Sequence, residues 1–146
     1  MPSFLSVAFD QAIAAGRRGE VPVGAALARG GVVISSAGNR TRGDSDPTAH
    51  AEMLSIRAAA KLEGARLTDC DLYVTLEPCA MCAAAISFAR VRRLYYAASD
   101  AKGGAVENGP RLFGQATCHH APEVYGGIRE SEASALLREF FAARRP

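Results

Sequence analysis

Two short motifs contain the residue types that bind transition metals and transfer protons. The first is His50-Ala51-Glu52 and the second is Pro78-Cys79-Ala80-Met81-Cys82. Cys79 and Cys82 are three residues apart, so in a helix both side chains project from the same side of one turn. A histidine from a second helix would complete three nitrogen and sulfur ligands, which leaves the fourth position of a tetrahedral zinc ion for water. The motifs therefore predict a catalytic zinc site formed by His50, Cys79 and Cys82.

Glu52 is the residue that suggests what such a site would do. It lies two positions after His50, roughly 200° around an ideal helix, so the pair cannot share one face in mid-helix. The two side chains converge only if the N-terminus of the helix points at the metal. We expect Glu52 to lie near the zinc without binding it and to transfer protons, while the zinc lowers the pKa of its bound water. The pattern H-x-E followed by P-C-x-x-C is typical of zinc-dependent nucleobase deaminases.

Other interpretations of the cysteine motif remain open at this point. A structural zinc needs four protein ligands, and the fourth would have to be Cys70, Cys118, His119 or His120. A redox Cys-x-x-Cys pair would not explain the His-Ala-Glu motif. We interpret Cys70 and Cys118 as ordinary core or loop cysteines, and His119-His120 as a pair on a surface loop.

Alternating helices and strands must position these motifs. A hydrophobic stripe predicts a first helix over residues 3–18, and two apolar runs around Arg29-Gly30-Gly31 predict a β-hairpin over 21–28 and 32–36. Asp46-Pro47-Thr48 predicts the start of a helix that runs from about Ala49 to residue 61 or 62. The remaining predicted elements are a strand over 72–76, a helix over 79–89, a strand over 93–98, an irregular glycine-rich region over 99–115 and a final helix over 130–143. This order predicts a mixed sheet with helices on both faces.

Composition excludes several classes of protein. The 146 residues suit one domain, predicted over 1–146, and 49% hydrophobic with 22% charged residues is ordinary for a globular chain. No apolar run approaches the roughly 18–20 residues that span a bilayer, and the first residues carry no secretory pattern. We therefore expect a cytoplasmic protein. The net charge of +2 permits an anionic partner without requiring one.

Beyond the zinc motifs, several stretches resemble the cytidine deaminase-like superfamily and, within it, the bacterial tRNA-specific adenosine deaminases. The resemblance covers about residues 9–145. Its motifs are Val21-Pro22-Val23-Gly24-Ala25, Gly38-Asn39-Arg40, Asp46-Pro47-Thr48-Ala49-His50-Ala51-Glu52, the segment from Leu72 to Cys82, Asp100-Ala101-Lys102-Gly103-Gly104 and Phe140-Phe141-Ala142-Ala143-Arg144-Arg145. The zinc motifs alone specify only the superfamily, and the other stretches point to the tRNA enzymes.

The resemblance implies a three-layer α/β/α sandwich on a five-stranded mixed sheet, and a homodimer with the active site near the interface. It implies one zinc ion per chain, bound by His50, Cys79 and Cys82, with Glu52 as the proton shuttle. The implied reaction is hydrolytic deamination of the wobble adenosine of a tRNA anticodon to inosine.

Further residues are candidates for binding the substrate. The resemblance implies that Asn39 hydrogen-bonds the flipped nucleoside and that Asp100 contacts a neighbouring nucleotide or its sugar. Without it, Asn39 could be a turn residue and Asp100 a solvated carboxylate. A backbone amide at a helix start, for example that of Ala51, could orient the attacked base.

Two groups of arginines could contact phosphates. Arg90, Arg92 and Arg93 lie close together, and Arg144 and Arg145 follow the aromatic pair near the C-terminus. A solvated charged face is the alternative interpretation of both groups.

The sequence departs from the family pattern in two places. Gly38 stands where some relatives have a large aromatic residue, and the segment from Val106 to His120 differs in length and pattern. Two other functions therefore remain open: deamination of free guanine or cytosine, and a non-catalytic zinc module that binds RNA or a partner deaminase. The presence of Glu52 argues against the latter.

Overall fold

The computed structural model describes residues 2–144, with side chains from residue 4 onward. Its elements, in chain order, are α1 (Pro2–Arg17), β1 (Gly24–Arg29), β2 (Val32–Gly38), α2 (Ala51–Glu63), β3 (Asp71–Leu76), α3 (Ala80–Ala89), β4 (Arg93–Ala98), a short 3₁₀-helix (Leu112–Gly114), β5 (Glu123–Gly126) and α4 (Glu130–Ala142). Within the described residues, none of the helices is both long enough and apolar enough to cross a membrane.

The five strands form one mixed sheet in the order β2-β1-β3-β4-β5. Strand β1 is antiparallel to β2 and to β3, whereas β3, β4 and β5 are parallel. The C-terminal ends of β2, β3 and β4 therefore lie beside the N-terminal end of β1, all at the same end of the strands. Loops that follow these strands converge there.

Residues that alternate along the central strands separate two hydrophobic clusters. Leu72, Val74 and Leu94 face the cluster that includes residues of α2 and α3. Tyr73 and Tyr95 face the opposite cluster, which includes residues of α1 and α4. This is the expected three-layer α/β/α sandwich.

The fifth strand was not located by the hydrophobic pattern, although the resemblance implied a five-stranded sheet. Strand β5 has only four residues and lies at the edge of the sheet. Its residues are exposed apart from Val124, which is half-buried. A short edge strand of this kind shows no apolar alternation, because neither of its faces is fully covered.

Helix α2 begins later than predicted, at Ala51 and not near Ala49. The Asp46 carboxylate accepts hydrogen bonds from the backbone amide and the hydroxyl of Thr48, at 2.8 and 2.7 Å. These bonds make Asp46-Pro47-Thr48 a turn that precedes the helix. The prediction that these residues form the helix start was wrong, and His50 is the N-cap residue.

Candidate metal and active site

Both metal-binding motifs lie at the N-terminus of a helix. His50 is the N-cap residue of α2 and Cys79 is the N-cap residue of α3, each with extended backbone angles. N-cap side chains commonly hydrogen-bond to backbone amides of their own helix, but neither of these does so. Their side chains instead approach each other across the gap between the two helices.

Three donor atoms meet at this point. His50 Nδ1 lies 3.7 Å from Cys79 Sγ and 3.5 Å from Cys82 Sγ. The three ligand atoms lie within 4.8 Å of one another, and no other group of three metal-binding side chains occurs in residues 4–144. Neither Cys70, Cys118, His119 nor His120 belongs to this group. The described part of the chain thus offers three protein ligands and no fourth.

The protonation of the two cysteines fits a metal site. Hydrogen bonds from Cys82 and His50 lower the pKa of the Cys79 thiol to about 4. The hydrogen bond to Cys79, together with burial, raises the pKa of Cys82. Cys79 is therefore the more acidic of the two thiols, and the positive potential of the helix N-termini favours its thiolate. A set of one imidazole nitrogen and two sulfurs is one that zinc prefers.

Glu52 lies in the first turn of α2 and is 4% exposed. Burial raises the pKa of its carboxyl to about 7, and the nearby Cys79 thiolate also raises it. A carboxyl with this pKa can both accept and donate a proton near neutral pH. Because α2 begins at Ala51, Glu52 approaches the metal-binding group from the helix end, without being part of that group.

A cavity of about 280 Å³ adjoins these residues, at the C-terminal ends of strands β2, β3 and β4. This volume suits a single base-sized group better than a longer segment of polymer. The cavity is lined by Val21, Val23, Asn39, Thr41, His50, Ala51, Glu52, Leu76, Glu77, Cys79, Asp100 and Gly103. Three of the predicted substrate-binding residues, Asn39, Ala51 and Asp100, are therefore beside the metal-binding group.

Asn39 and Asp100 are each held at the cavity by hydrogen bonds, Asn39 through its backbone and Asp100 through its carboxylate. The Asn39 amide donates to the Val23 carbonyl at 3.0 Å, and the Asn39 carbonyl accepts from the Arg18 guanidinium at 3.2 Å. The Asp100 carboxylate accepts from the backbone amides of Lys102 and Gly103, at 3.1 and 3.0 Å. Both residues are thus fixed in loops that follow strands.

Arg144 does not line the cavity. Its guanidinium lies 3.6 Å from the centre of the Phe140 ring and donates to the Phe140 carbonyl at 3.2 Å. It borders a neighbouring groove, together with Arg17 and Pro22. The predicted contact residue Arg145 lies outside the described residues.

The arginines at the start of β4 are remote from the cavity. Arg92 forms two hydrogen bonds with the Asp71 carboxylate, at 3.0 and 2.9 Å, and Arg93 lies 3.5 Å from Glu123. Strand β4 separates them from the site by six residues, roughly 20 Å. Their position and ion pairs favour the interpretation as a solvated charged face.

The remaining cysteines and histidines have other surroundings. Cys70 is fully buried in the core, and Cys118 Sγ lies 3.4 Å from Ser87 Oγ. His120 pairs through Nε2 with the Val91 carbonyl at 3.0 Å, and the His119 ring lies 5.1 Å from the Phe88 ring. These contacts agree with core and loop roles.

Glu77 is the residue of this region that the sequence analysis missed. In the sequence it only follows the predicted strand over 72–76, but it lines the cavity and is 2% exposed. Its carboxylate accepts hydrogen bonds from the loop that follows β4. The one available signal was a glutamate directly before the Pro-Cys pair.

Comparison with known proteins identifies the family. The zinc-binding region of the cytidine and deoxycytidylate deaminases matches residues 2–98. The tRNA-specific adenosine deaminase of Agrobacterium fabrum is 59% identical over 143 residues, which cover 97% of this chain and 94% of that protein. A solved structure from studies of A-to-I editing by tRNA:A34 deaminases at the wobble position of transfer RNA matches with a TM-score of 0.92 and 59% identity. The match covers 94% of this chain and all of the other.

A guanine deaminase from Nitrosomonas europaea shares the fold at lower similarity. It matches with a TM-score of 0.81 and 26% identity, over 96% of this chain and 84% of its own. The fold is thus shared with an enzyme of another substrate, whereas the identity of 59% is to a tRNA-specific adenosine deaminase. The chain belongs to the zinc-dependent cytidine deaminase-like family and, within it, to the bacterial tRNA-specific adenosine deaminases.

Proposed function

We propose that this chain acts as one deaminase domain over residues 1–146 and hydrolyses the wobble adenosine of a tRNA anticodon to inosine and ammonia. The observation that carries this proposal is the buried Glu52 carboxyl beside the group of His50, Cys79 and Cys82 in a base-sized cavity. The identity to tRNA-specific adenosine deaminases supports the substrate.

One Zn²⁺ per chain, bound by His50, Cys79 and Cys82, would supply Lewis acidity and lower the pKa of water at the site. Glu52 accepts a proton from the water that adds to C6 of adenine and delivers it to the ring nitrogen. Glu52 then takes the proton of the hydroxyl added at C6 and transfers it to the amino group, so that the C6–N bond breaks, ammonia leaves and the C6 carbonyl forms. A carboxyl with a pKa near 7 suits both transfers.

The other site residues hold the substrate in this proposal. The Asn39 side chain hydrogen-bonds the nucleoside, and the Ala51 backbone amide, at the first position of α2, orients the base. Asp100 contacts a neighbouring nucleotide or its sugar. Arg144 and Arg145 neutralise phosphates outside the cavity.

An anticodon loop suits this arrangement because its bases are already unstacked and can enter a pocket at low cost. The same zinc residues would serve a free base equally well. The substrate must therefore be decided by residues outside the zinc motifs.

We also propose that the chain is a cytoplasmic homodimer. The exposed ring of Phe88 supports a dimer, since it is 66% exposed on α3, the helix that begins at Cys79. The adjoining groove is lined by Ala84, Leu112 and His119 among others. Exposed apolar patches commonly mark protein–protein interfaces. Light scattering at several protein concentrations would give the mass of the assembly.

One assay panel tests the proposed function. Unmodified tRNA transcripts, anticodon stem-loops, adenosine, cytidine, cytosine and guanine are each incubated with the zinc-loaded protein, and the deaminated product and ammonia are both quantified. We expect inosine and equimolar ammonia from an anticodon substrate, and neither product with the Glu52→Ala variant. Efficient turnover of guanine or cytosine with every stem-loop untouched would overturn the tRNA substrate.

A further inference from the structure

We propose that Glu77 is a positioning residue that holds Asp100 at the cavity by organising the loop over residues 99–108. The inference rests on the proposed function, in which Asp100 contacts the substrate. Glu77 itself need not touch the substrate in this role. Its effect on the reaction would pass through the backbone of Asp100.

The Glu77 carboxylate is surrounded by donors from this loop. Oε1 accepts from the Asp100 amide at 2.9 Å, from the Asn108 side chain at 2.7 Å and from the Ser99 hydroxyl at 3.3 Å. Oε2 accepts from the backbone amides of Val106, Glu107 and Asn108, at 3.1, 2.9 and 3.1 Å. One carboxylate thus binds both ends of the loop.

These donors replace the usual cationic partner of a buried carboxylate. Within residues 4–144, no lysine or arginine forms an ion pair with Glu77. Successive amides that surround an anion in this way form a concave anion-binding site. Here the anion belongs to the protein itself.

The loop packs tightly against the Glu77 carboxylate. A Cβ atom at Gly104 would lie 2.5 Å from Glu77 Cδ and 2.5 Å from the Asp100 carbonyl oxygen. The neighbouring Ala105 amide donates to the Pro78 carbonyl at 2.9 Å. The loop is therefore held against the Glu77-Pro78 segment that leads into the metal-binding helix.

The order that Glu77 gives to the loop affects the cavity because Asp100 belongs to that loop and lines the cavity. Glu77 holds its backbone amide, and the amides of Lys102 and Gly103 hold its carboxylate. A segment without helix or strand structure would otherwise sample many conformations, and ordering it on substrate binding would cost entropy. Because Glu77 orders the loop before the substrate binds, binding does not have to supply that entropy. Proton transfer remains the role of Glu52.

A double-mutant cycle tests this coupling. Glu77→Gln keeps the shape of the side chain but places an amide group against the loop donors. Misplacement of a binding group by about 1 Å can cost on the order of 10²-fold in rate. In the zinc-loaded full chain, we expect Glu77→Gln to lower kcat/KM for an anticodon stem-loop by roughly 10- to 100-fold. In the Asp100→Ala variant, we expect Glu77→Gln to lower kcat/KM by less than about threefold.

Glu20 provides the matched control. It is 3% exposed, and its carboxylate accepts from the backbone amides of Arg42 and Gly43, at 3.1 and 2.7 Å, in the loop that follows β2. Glu20→Gln should lower kcat/KM by the same factor in the wild-type protein and in the Asp100→Ala variant. Glu77→Asp, which keeps the charge, should recover part of the activity lost in Glu77→Gln.

Amide hydrogen exchange provides a readout that does not depend on the substrate. Glu77→Gln should speed exchange at Asp100, Val106, Glu107 and Asn108 while zinc content and protection of α2 stay unchanged. If Glu77→Gln does not fold, Glu77→Asp, which withdraws the carboxylate from the loop donors by one methylene, replaces it in the cycle. An equal loss in both Asp100 backgrounds, or unchanged exchange in the loop, would overturn the proposal.

The two proposals fail differently. If the wild-type protein deaminates guanine and no stem-loop, the proposed function is wrong, and Asp100 has no neighbouring nucleotide to contact. Faster amide exchange at Asp100 and at residues 106–108 in Glu77→Gln would still support the role of Glu77 in organising the loop, because that measurement needs no substrate.

Discussion

His50 and Cys79 occupy equivalent positions in two different helices, and their side chains meet. Each is an N-cap residue, and His50 Nδ1 lies 3.7 Å from Cys79 Sγ. The N-termini of α2 and α3 therefore face the same point, where their dipoles favour anionic sulfur. The same geometry brings Glu52 beside the group from the first turn of α2.

Removing a metal ligand should remove both metal and stability. We expect Cys79→Ala to reduce bound zinc from about one per chain to near zero and to lower Tm, because metal binding is coupled to folding. Elemental analysis and thermal unfolding measure the two effects. Cys118→Ala is the control, since Cys118 contacts Ser87 away from the site. Loss of zinc from Cys118→Ala, with retention in Cys79→Ala, would contradict the assignment of ligands.

Removing the proposed proton shuttle should affect turnover alone. Glu52→Ala should keep zinc and the fold, yet lose at least about 10²–10⁴-fold in kcat, the usual contribution of general acid–base catalysis. Single-turnover assays with metal analysis on the same sample separate the two properties. Activity within tenfold of the wild type would exclude Glu52 from this role.

A polyanionic substrate should make binding sensitive to salt. The log–log slope of affinity against salt is roughly −0.7 for each phosphate contact on a single strand. Replacing Arg144 and Arg145 by alanine should weaken binding of a stem-loop and flatten this slope, without loss of zinc. Fluorescence anisotropy over a series of KCl concentrations measures it. Arg92→Ala is the control, because Arg92 is paired with Asp71 at the far end of β4, and an equal flattening there would contradict the assignment.

Asn39 should matter more for turnover than for docking. We expect Asn39→Ala to lower kcat, with little change in the Kd of the stem-loop, since phosphate contacts stay intact when a hydrogen bond to the nucleoside is lost. Binding and single-turnover rates measured on the same variant test this. A variant with weakened Kd and unchanged kcat would place Asn39 among the docking residues instead.

Cys70 should be unreactive in the native protein. It is fully buried, and burial together with the neighbouring Asp69 raises the pKa of its thiol to about 11. At pH 8 the thiolate fraction is then about one in a thousand, and thiolate is the reactive form. Alkylation with iodoacetamide, followed by mass spectrometry, should leave Cys70 unmodified in native protein and modify it in denaturant. Rapid native labelling would show that the core around β3 opens.

The metal site was predictable because its information is local. The spacing of Cys79 and Cys82 within one turn, and of His50 and Glu52 at a helix start, depends on helix geometry alone. Local signals of other kinds located the four helices and the first four strands: apolar stripes, a capping segment, an alanine-rich stretch and short apolar runs. Strand β5 was not predicted, because a four-residue edge strand with mostly exposed side chains shows no alternation of apolar and polar residues.

The surroundings of the site depended on contacts between distant parts of the chain. Glu77 is joined to donors 22 to 31 residues later, and Arg92 is paired with Asp71, 21 residues earlier. No local pattern distinguishes a glutamate that ends a strand from one that organises a loop, or a free arginine from a paired one. The sequence by itself thus predicted the three metal-binding side chains that the structure brings together, a proton carrier beside them and the layered fold. Only the tertiary structure decided which charged groups face the cavity, because that depends on which strand ends the sheet brings together.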